Sequence, residues 1–290
     1  MTMEIQEVTV RRATPADAAI CGQICFDAFS AINARHGFPC DFPSPGAAAG
    51  MMSMLFAHPS FYCVVAERGG RIIGSNCMDE RATVFGVGPV SIDPAVQNSG
   101  VGRRLMEAVM ERASVRDAAG VRLVQATFHT RSLGLYASLG FEVRELLCCM
   151  QGQSLQHEMP ECQVRPASAL DADACCAIAL RAHGFDRRLE LVEAMGEGTA
   201  VVVERGGKIT GYATSLAFFG HATAATNLDL MAMIAAAAGY GGPGILVPAR
   251  DSVLFKWCLA DGLRIVQPMT LMSTGLYREP AGAWLPSIFF

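Results

Sequence analysis

Apolar and polar residues alternate along the N-terminal half in a pattern that predicts strands and helices in turn. Residues 8–11 have the alternation of a strand. Thr14, Pro15 and Asp17 are typical of a helix start, with a capping hydroxyl, a proline at the first helical position and an early acid. The elements predicted next are a helix to about residue 35, a breaker-rich segment 36–46, a Met-rich helix 47–57, and strands 61–67 and 71–79 around a Gly-Gly turn.

A glycine loop, Gln97 to Gly102, follows a predicted strand 83–92 and opens a helical pattern over 101–116. Pro89 in that strand is tolerated only at an edge or an irregular position, although a plain bend is an equal alternative. Glycines let the backbone turn tightly, and a helix start adds free N–H donors and partial positive charge. The loop therefore predicts a site for an anion such as a diphosphate, while a plain turn or helix start remains the commoner meaning of such a loop.

The common phosphate loops are excluded by two departures. No Lys-Ser/Thr follows Gly102, and the first glycine of the dinucleotide fingerprint is missing. The remaining pattern, Gln-x-x-Gly-x-Gly, resembles the loop of the GNAT acetyltransferases. Residues 135–141, Leu-Tyr-Ala-Ser-Leu-Gly-Phe, are similar to the Leu-Tyr-x-x-Leu-Gly-Phe motif of that family. The resemblance covers residues 8 to 150 in the family's order and does not name an acceptor.

The resemblance implies an acyl-CoA-dependent N-acyltransferase that uses acetyl-CoA as co-substrate, without a metal, and transfers the acetyl group directly to an amine. Tyr136 would act as the general acid that protonates the leaving thiolate. His129 stands where the family usually has asparagine, so it replaces a hydrogen bond, serves as a base or begins the helix. The implied cofactor contacts are Val90, Ser91, Ile92, Gln97, Asn98, Ser99, Gly100, Val101, Gly102, Arg103 and His129.

The general base is not identifiable from the sequence. Glu80, near the end of the third strand, is a candidate base that could act through water. Candidate substrate contacts are His36 and Asp41 in the breaker-rich segment and Met51 in the Met-rich helix. For each of these residues a solvated loop position or plain core is the alternative.

The chain also repeats itself. Residues 67–74 return as 204–211 at an offset of 137, residues 10–13 match 164–167 at an offset of 154, and residues 139–141 match 261–263 at an offset of 122. The second copy therefore lacks 17 residues before the hairpin, which we assign to the breaker-rich segment and the Met-rich helix. It lacks a further 15 residues in the interval that held the glycine loop.

The fold class expected is α/β (α+β), with two tandem GNAT-like domains, each a mixed, mostly antiparallel twisted sheet flanked by helices. Residues 1–150 would form the domain with the acetyl-CoA site, 151–163 a linker, and 164–290 a degenerate domain without the pyrophosphate loop. Cys258 stands at the position that matches Tyr136. Residues 239–244 are glycine-rich but precede a strand, which favours a turn, and the apolar tail 284–290 is expected to dock on the protein.

Composition narrows the class of protein. With 51% apolar and 17% charged residues the chain can bury sizeable cores, and its net charge of −4 argues against a nucleic-acid partner. Neither a membrane span nor a signal peptide is expected, since Glu4 and Glu7 occupy the N-terminus, so we expect a cytoplasmic protein. The eleven cysteines lack metal-ligand spacing.

The expected partner is a small-molecule or peptide amine acceptor, with no nucleic acid and no membrane, and the expected state is a monomer or homodimer. Two other functions remain open. One is a non-catalytic acyl-CoA-binding regulatory or scaffold protein, and the other is a protein for a different phosphate-bearing ligand.

Overall fold

The computed structural model describes residues 7–289, so Glu4 and Phe290 lie outside the described residues. The chain divides into two compact units. The first unit comprises Met1–Glu80 and Phe85–Val121, and the second comprises Arg81–Val84 and Arg122–Phe290. The division into 1–150, 151–163 and 164–290 follows the sequence repeat and stays a prediction, because the compact units have other bounds.

The first unit contains an antiparallel sheet and the helices that precede, follow or connect its strands in the sequence. Its strands lie in the order β1-β2-β3-β4, and Leu105 and Val109 of its third helix are buried completely. This arrangement confirms the predicted mixed fold. The elements are β1 (Val8–Arg12), α1 (Ala18–His36), α2 (Pro45–Ala57), β2 (Phe61–Arg68), β3 (Arg71–Asp79), β4 (Val84–Ile92) and α3 (Val101–Val115).

The second unit contains the last elements of the first copy and the whole second copy. Its elements are β5 (Gly120–Ala126), α4 (Thr130–Ser138), β6 (Glu142–Gln151), β7 (Gln163–Pro166), α5 (Ala172–His183), α6 (Arg188–Gly196), β8 (Val201–Arg205), β9 (Lys208–Ala213), β10 (Ala222–Ala224), α7 (Asn227–Ala236), β11 (Ile245–Pro248), α8 (Ser252–Ala260), β12 (Arg264–Gly275) and β13 (Ala283–Leu285). One run of strands has the order β5-β12-β6-β11, and a separate sheet has the order β13-β10-β9-β8-β7.

The last strands of the two copies exchange places in the second unit. Within residues 7–289, strand β6 of the first copy pairs only with β12 and β11 of the second, both antiparallel. In the β6–β12 ladder Leu147 lies opposite Met269, and these residues are separated by the repeat offset of 122. Because repeat-equivalent residues oppose each other, the ladder has a local two-fold relation centred on this pair. The two copies are therefore distinct repeats in the sequence, but their last strands form one sheet.

The predicted loss of the Met-rich helix from the second copy is wrong. The second copy keeps a helix, α6, between α5 and β8, so the Met-rich helix is not deleted. The missing residues are spread over a shorter first helix, with 12 residues in α5 against 19 in α1, a shorter loop, and 9 residues in α6 against 13 in α2. An offset counts residues and does not show which elements lost them.

The apolar tail docks on the second unit, as predicted, as far as residue 289. Strand β13 pairs with β10, and Trp284 and Phe289 are buried. The Ile288 N–H donates to the Phe218 carbonyl at 2.8 Å. The 239–244 segment is a turn that leads into β11, which confirms that interpretation. Among the helices of the described residues, none has both the length and the apolarity needed to cross a membrane.

We predict that Leu147→Ala lowers the free energy of unfolding by about 2–5 kcal/mol, because Leu147 is fully buried at the centre of the exchanged ladder. The matched control is Leu146→Ala, one residue earlier on the other face and 48% exposed, which we expect to cost less than about 1 kcal/mol. Denaturant unfolding measures both variants. Equal losses would show that burial of the Leu147 side chain does not set its contribution to stability.

Candidate functional site

The end of β4 leaves regular pairing where Pro89 occurs. Gly88 and Pro89 lie in a register shift between the Asn76 and Met78 positions of β3, which confirms an irregular position for the proline. Beyond the shift Val90, Ser91 and Ile92 pair with β3 again. The predicted main-chain contacts thus lie on an ordered strand end directly before the glycine loop.

The glycine loop is shaped by hydrogen bonds between residues that are close in sequence. The Asp93 carboxylate accepts from the Ala95 N–H at 2.9 Å, and the Ser99 hydroxyl donates to the Val96 carbonyl at 2.6 Å. The Gln97 amide donates to the Ile92 carbonyl at 3.4 Å. These bonds hold the loop in a defined turn in which residues 98–100 are exposed.

The start of α3 has the features of an anion site. Gly100 is the N-cap with φ of +83°, a conformation that favours glycine, and no side chain caps the helix. The first turn contains no acid. Arg103 and Arg104 are exposed in that turn, where the helix dipole disfavours cations. The first N–H groups of α3 and the two arginines together favour binding of a negatively charged group.

Glu80 is held by an arginine of α3. Its two carboxylate oxygens accept from Arg112 Nε at 2.8 Å and Nη2 at 3.0 Å, and the glutamate side chain is 9% exposed. Arg112 also lies over the Tyr62 ring, 5.0 Å from its centroid. This bidentate pair favours a structural role for Glu80, and its proposed role as a base stays a prediction.

Tyr136 lies in α4, in the second compact unit, and is buried. Burial raises the pKa of its phenol to about 12, and a hydrogen bond with Ser132 opposes that shift. The Ser132 hydroxyl is 2.6 Å from Nδ1 of His129, the residue that caps α4. The two residues singled out in this segment are therefore linked through one serine, and the phenol stays protonated at neutral pH.

The three candidate substrate residues lie in the first unit at different positions. His36 is the exposed last residue of α1, Asp41 is half-buried in the following segment, and Met51 is half-buried in α2. Met52 and Leu55 of the same helix are fully buried, so they belong to the core. The substrate roles of His36, Asp41 and Met51 stay predictions.

The second unit contains a buried polar chain that the sequence analysis missed. His221 Nδ1 is 3.1 Å from Glu190 Oε1, and its Nε2 is 2.9 Å from the Tyr212 hydroxyl. Burial raises the pKa of Glu190, but Arg187 and His221 outweigh it and hold that pKa well below its usual range. Glu190, Tyr212 and His221 are far apart in sequence, so no local sequence pattern predicts these hydrogen bonds. Because His221 and Tyr212 are buried and the Glu190 side chain is only 11% exposed, we interpret these hydrogen bonds as structural.

No group of three or more His, Cys, Asp and Glu residues within 7–289 is arranged to hold a metal ion.

Residues 59–143, which include the glycine loop and Tyr136, match the family described as acetyltransferase (GNAT) domain. N-alpha-acetyltransferase RimI of Mycobacterium tuberculosis (strain ATCC 25618 / H37Rv) is 29% identical over 146 residues, which are 49% of this chain and 83% of that protein.

Two solved structures resemble the fold over most of the chain. A proposed acetyltransferase from Pyrococcus horikoshii has a TM-score of 0.74 at 17% identity, covering 98% of this chain and 94% of the other. The tandem GNAT protein from the clavulanic acid biosynthesis pathway has a TM-score of 0.55 at 14% identity, covering 92% of this chain and 98% of the other. At these identities the likeness shows a shared fold.

We predict that Glu80→Gln lowers the free energy of unfolding by about 1–2 kcal/mol, because the bidentate pair with Arg112 loses its charge. The control is Glu107→Gln, whose carboxylate lies 3.9 Å from Arg103 on the exposed face of the same helix and is expected to contribute less than about 0.5 kcal/mol. Denaturant unfolding and an acetyl-transfer assay are measured together. A Glu80→Gln variant of unchanged stability and greatly reduced turnover would instead identify Glu80 as the base.

Proposed function

We propose that this chain, a GNAT superfamily member and N-acetyltransferase, transfers an acetyl group from acetyl-CoA directly to an amine. The start of α3 carries the proposal. A left-handed glycine cap, a first turn without an acid and two early arginines together suit the diphosphate of the co-substrate.

The residues of this chain divide the work by their chemistry. Backbone N–H groups of residues 97–103 would bind the diphosphate, since an N–H fits a phosphate oxygen without selecting for a side chain. Main-chain groups of Val90 to Ile92 would align the thioester arm and stabilise the oxyanion. His129 would supply the hydrogen bond for which the family usually has asparagine.

The reaction is a direct acyl transfer. The amine lone pair attacks the thioester carbonyl carbon, the tetrahedral intermediate collapses, and the carbon–sulfur bond breaks. Tyr136 donates its proton to the departing thiolate, and the new amide nitrogen loses a proton to water. The assignment of Tyr136 depends on the Leu-Tyr-x-x-Leu-Gly-Phe motif and on the protonated state of the buried phenol.

The acceptor class we propose is a primary amine, and peptide N-termini are the first to screen because the relative RimI is an N-alpha-acetyltransferase. Lysine side chains and small amines complete the panel. The cytoplasmic location and the monomeric or homodimeric state stay predictions.

We predict that Gly102→Glu abolishes acetyl-CoA binding without destabilising α3. An acid in the first turn of a helix is favourable by itself, whereas it repels a diphosphate. We expect an affinity loss of at least about 100-fold in calorimetric titration, equal to about 2.7 kcal/mol.

The matched control is Gly46→Glu, which makes the same change at the same second position of α2, where the nearest atom to an added Cβ is Ser44 Oγ at 3.7 Å. This control should bind like wild type, at about one site per chain. Equal losses in both variants would reject the loop as the cofactor site, and displacement by ATP or NAD would support a different ligand.

We predict that Tyr136→Phe lowers turnover about 100-fold or more, as loss of a general acid does, with acetyl-CoA affinity changed less than about threefold. The control is Tyr240→Phe, another buried tyrosine whose pKa burial raises to about 12. The control should keep wild-type turnover. If Tyr136→Phe binds acetyl-CoA and turns over normally, the acid is another group.

The pH dependence of wild type adds a check on the same residue. A general acid works below its pKa, and burial has moved that of Tyr136 upward to about 12. The rate should therefore not fall between about pH 9 and 11 through loss of this proton, as it would for an unperturbed phenol of pKa about 10. A binding protein without catalysis would show affinity and no transfer to any amine of the panel.

A further inference from the structure

The two copies place an arginine at the same point of their hairpins. Arg68 ends β2 and Arg205 ends β8, and both directly precede a Gly-Gly turn. They are separated by the hairpin offset of 137. The environment of one arginine can therefore be read against that of the other, each inside its own unit.

In the second unit the arginine binds a carboxylate at a helix start. Arg205 Nε donates to Asp229 Oδ1 at 2.8 Å and Nη2 to Oδ2 at 3.1 Å. Asp229 is the third residue of α7 and also accepts from the Thr226 N–H at 3.1 Å. Asp229 is fully buried. An arginine and a helix N-terminus thus converge on one anionic group that the chain itself supplies.

In the first unit the arginine and the helix start are present, but the first turn of α3 contains no acid. Gly100 takes the N-cap position that Thr226 has in α7, and Arg103 takes the third position that Asp229 has. Arg68 Nη2 lies 3.4 Å from the hydroxyl of Ser99, the residue before the cap. The charge at the third helical position is therefore inverted between the copies, while the hairpin arginine is kept.

We propose that Arg68 binds a phosphate group of the acyl-CoA at the glycine loop. The phosphate would take the place that the Asp229 carboxylate has as the partner of Arg205. This inference rests on the proposed function, which supplies the ligand. A guanidinium presents a planar fork of donors that matches phosphate oxygens, and a helix N-terminus supplies N–H groups to the same anion. The sequence analysis missed Arg68 because it lies outside the loop motif.

Arg71, three residues further along the hairpin, provides a matched control. Its Nη2 lies 2.5 Å from Asp93 Oδ2, so its charge is already paired with a carboxylate of the protein. Loss of Arg71 removes the same charge from the same hairpin as loss of Arg68. The two variants therefore differ in the partner that is lost: the Asp93 carboxylate for Arg71, and the Ser99 hydroxyl and the proposed phosphate for Arg68.

The test is calorimetric titration of Arg68→Gln, Arg71→Gln and wild type with acetyl-CoA and with S-acetylpantetheine, which lacks the phosphates. Arg68→Gln should weaken acetyl-CoA binding about 10- to 100-fold, as loss of a charge-assisted phosphate contact does, and leave S-acetylpantetheine binding unchanged. Arg71→Gln should weaken acetyl-CoA binding less than Arg68→Gln does, since the Arg71 guanidinium is held by Asp93 and its loss acts on the ligand only through that carboxylate. Arg68→Lys, which keeps the charge without the fork, should fall between wild type and Arg68→Gln.

Two results would overturn the inference. Unchanged acetyl-CoA affinity in Arg68→Gln is one, and an equal loss for both ligands with a lowered ligand-free melting temperature is the other, since it identifies a folding effect. Failure of the proposed function looks different, because wild type itself would then not bind acetyl-CoA.

Discussion

The antiparallel ladder between β6 and β12 is the interaction on which the second unit depends. Both neighbours of β6 come from the second copy, and both neighbours of β12 come from the first. A strand with a buried face needs paired neighbours, because unpaired backbone groups and exposed apolar side chains are costly. Helix α4, which carries Tyr136, connects β5 to β6, so it is anchored by strands that alternate with those of the second copy. Strands of the second copy therefore complete the sheet that anchors α4.

The need of a helix N-terminus for a negative partner explains how the copies diverged. In α7 the capping box of Thr226 and Asp229, closed by Arg205, satisfies the first N–H groups inside the protein. In α3 a glycine replaces the capping side chain, and the first turn carries arginines. In α7 the chain itself supplies the negative partner, whereas in α3 the proposed function assigns that place to the diphosphate of the co-substrate. The two helix starts thus differ both at the cap, where Gly100 stands in place of Thr226, and at the third helical position, where Arg103 stands in place of Asp229.

Local patterns predicted most elements to within a residue or two, because caps, glycine turns and hydrophobic periods act over short distances. Helix α3 and the β2–β3 hairpin are examples. Strand exchange was not predictable, since the alternation in β6 specifies a buried face and not the strand that covers it. Arg68 was missed because its hairpin sequence recurs in both copies, and its contact with Ser99 joins residues 31 positions apart. The candidate residues of the two motifs, by contrast, were predicted because each motif is contiguous in the sequence.

Burial of Tyr136 poses a question of proton affinity, because a phenol with a pKa of about 12 is a weak acid toward an ordinary thiolate. The second copy has a buried thiol at the equivalent position. Cys258 stands there, and burial raises the pKa of its thiol as it raises that of the phenol. Desolvation disfavours the charged form of both groups, so a thiolate released into apolar surroundings is a stronger base than a thiolate in water. The same desolvation that weakens the proposed acid would therefore strengthen the base that it must protonate.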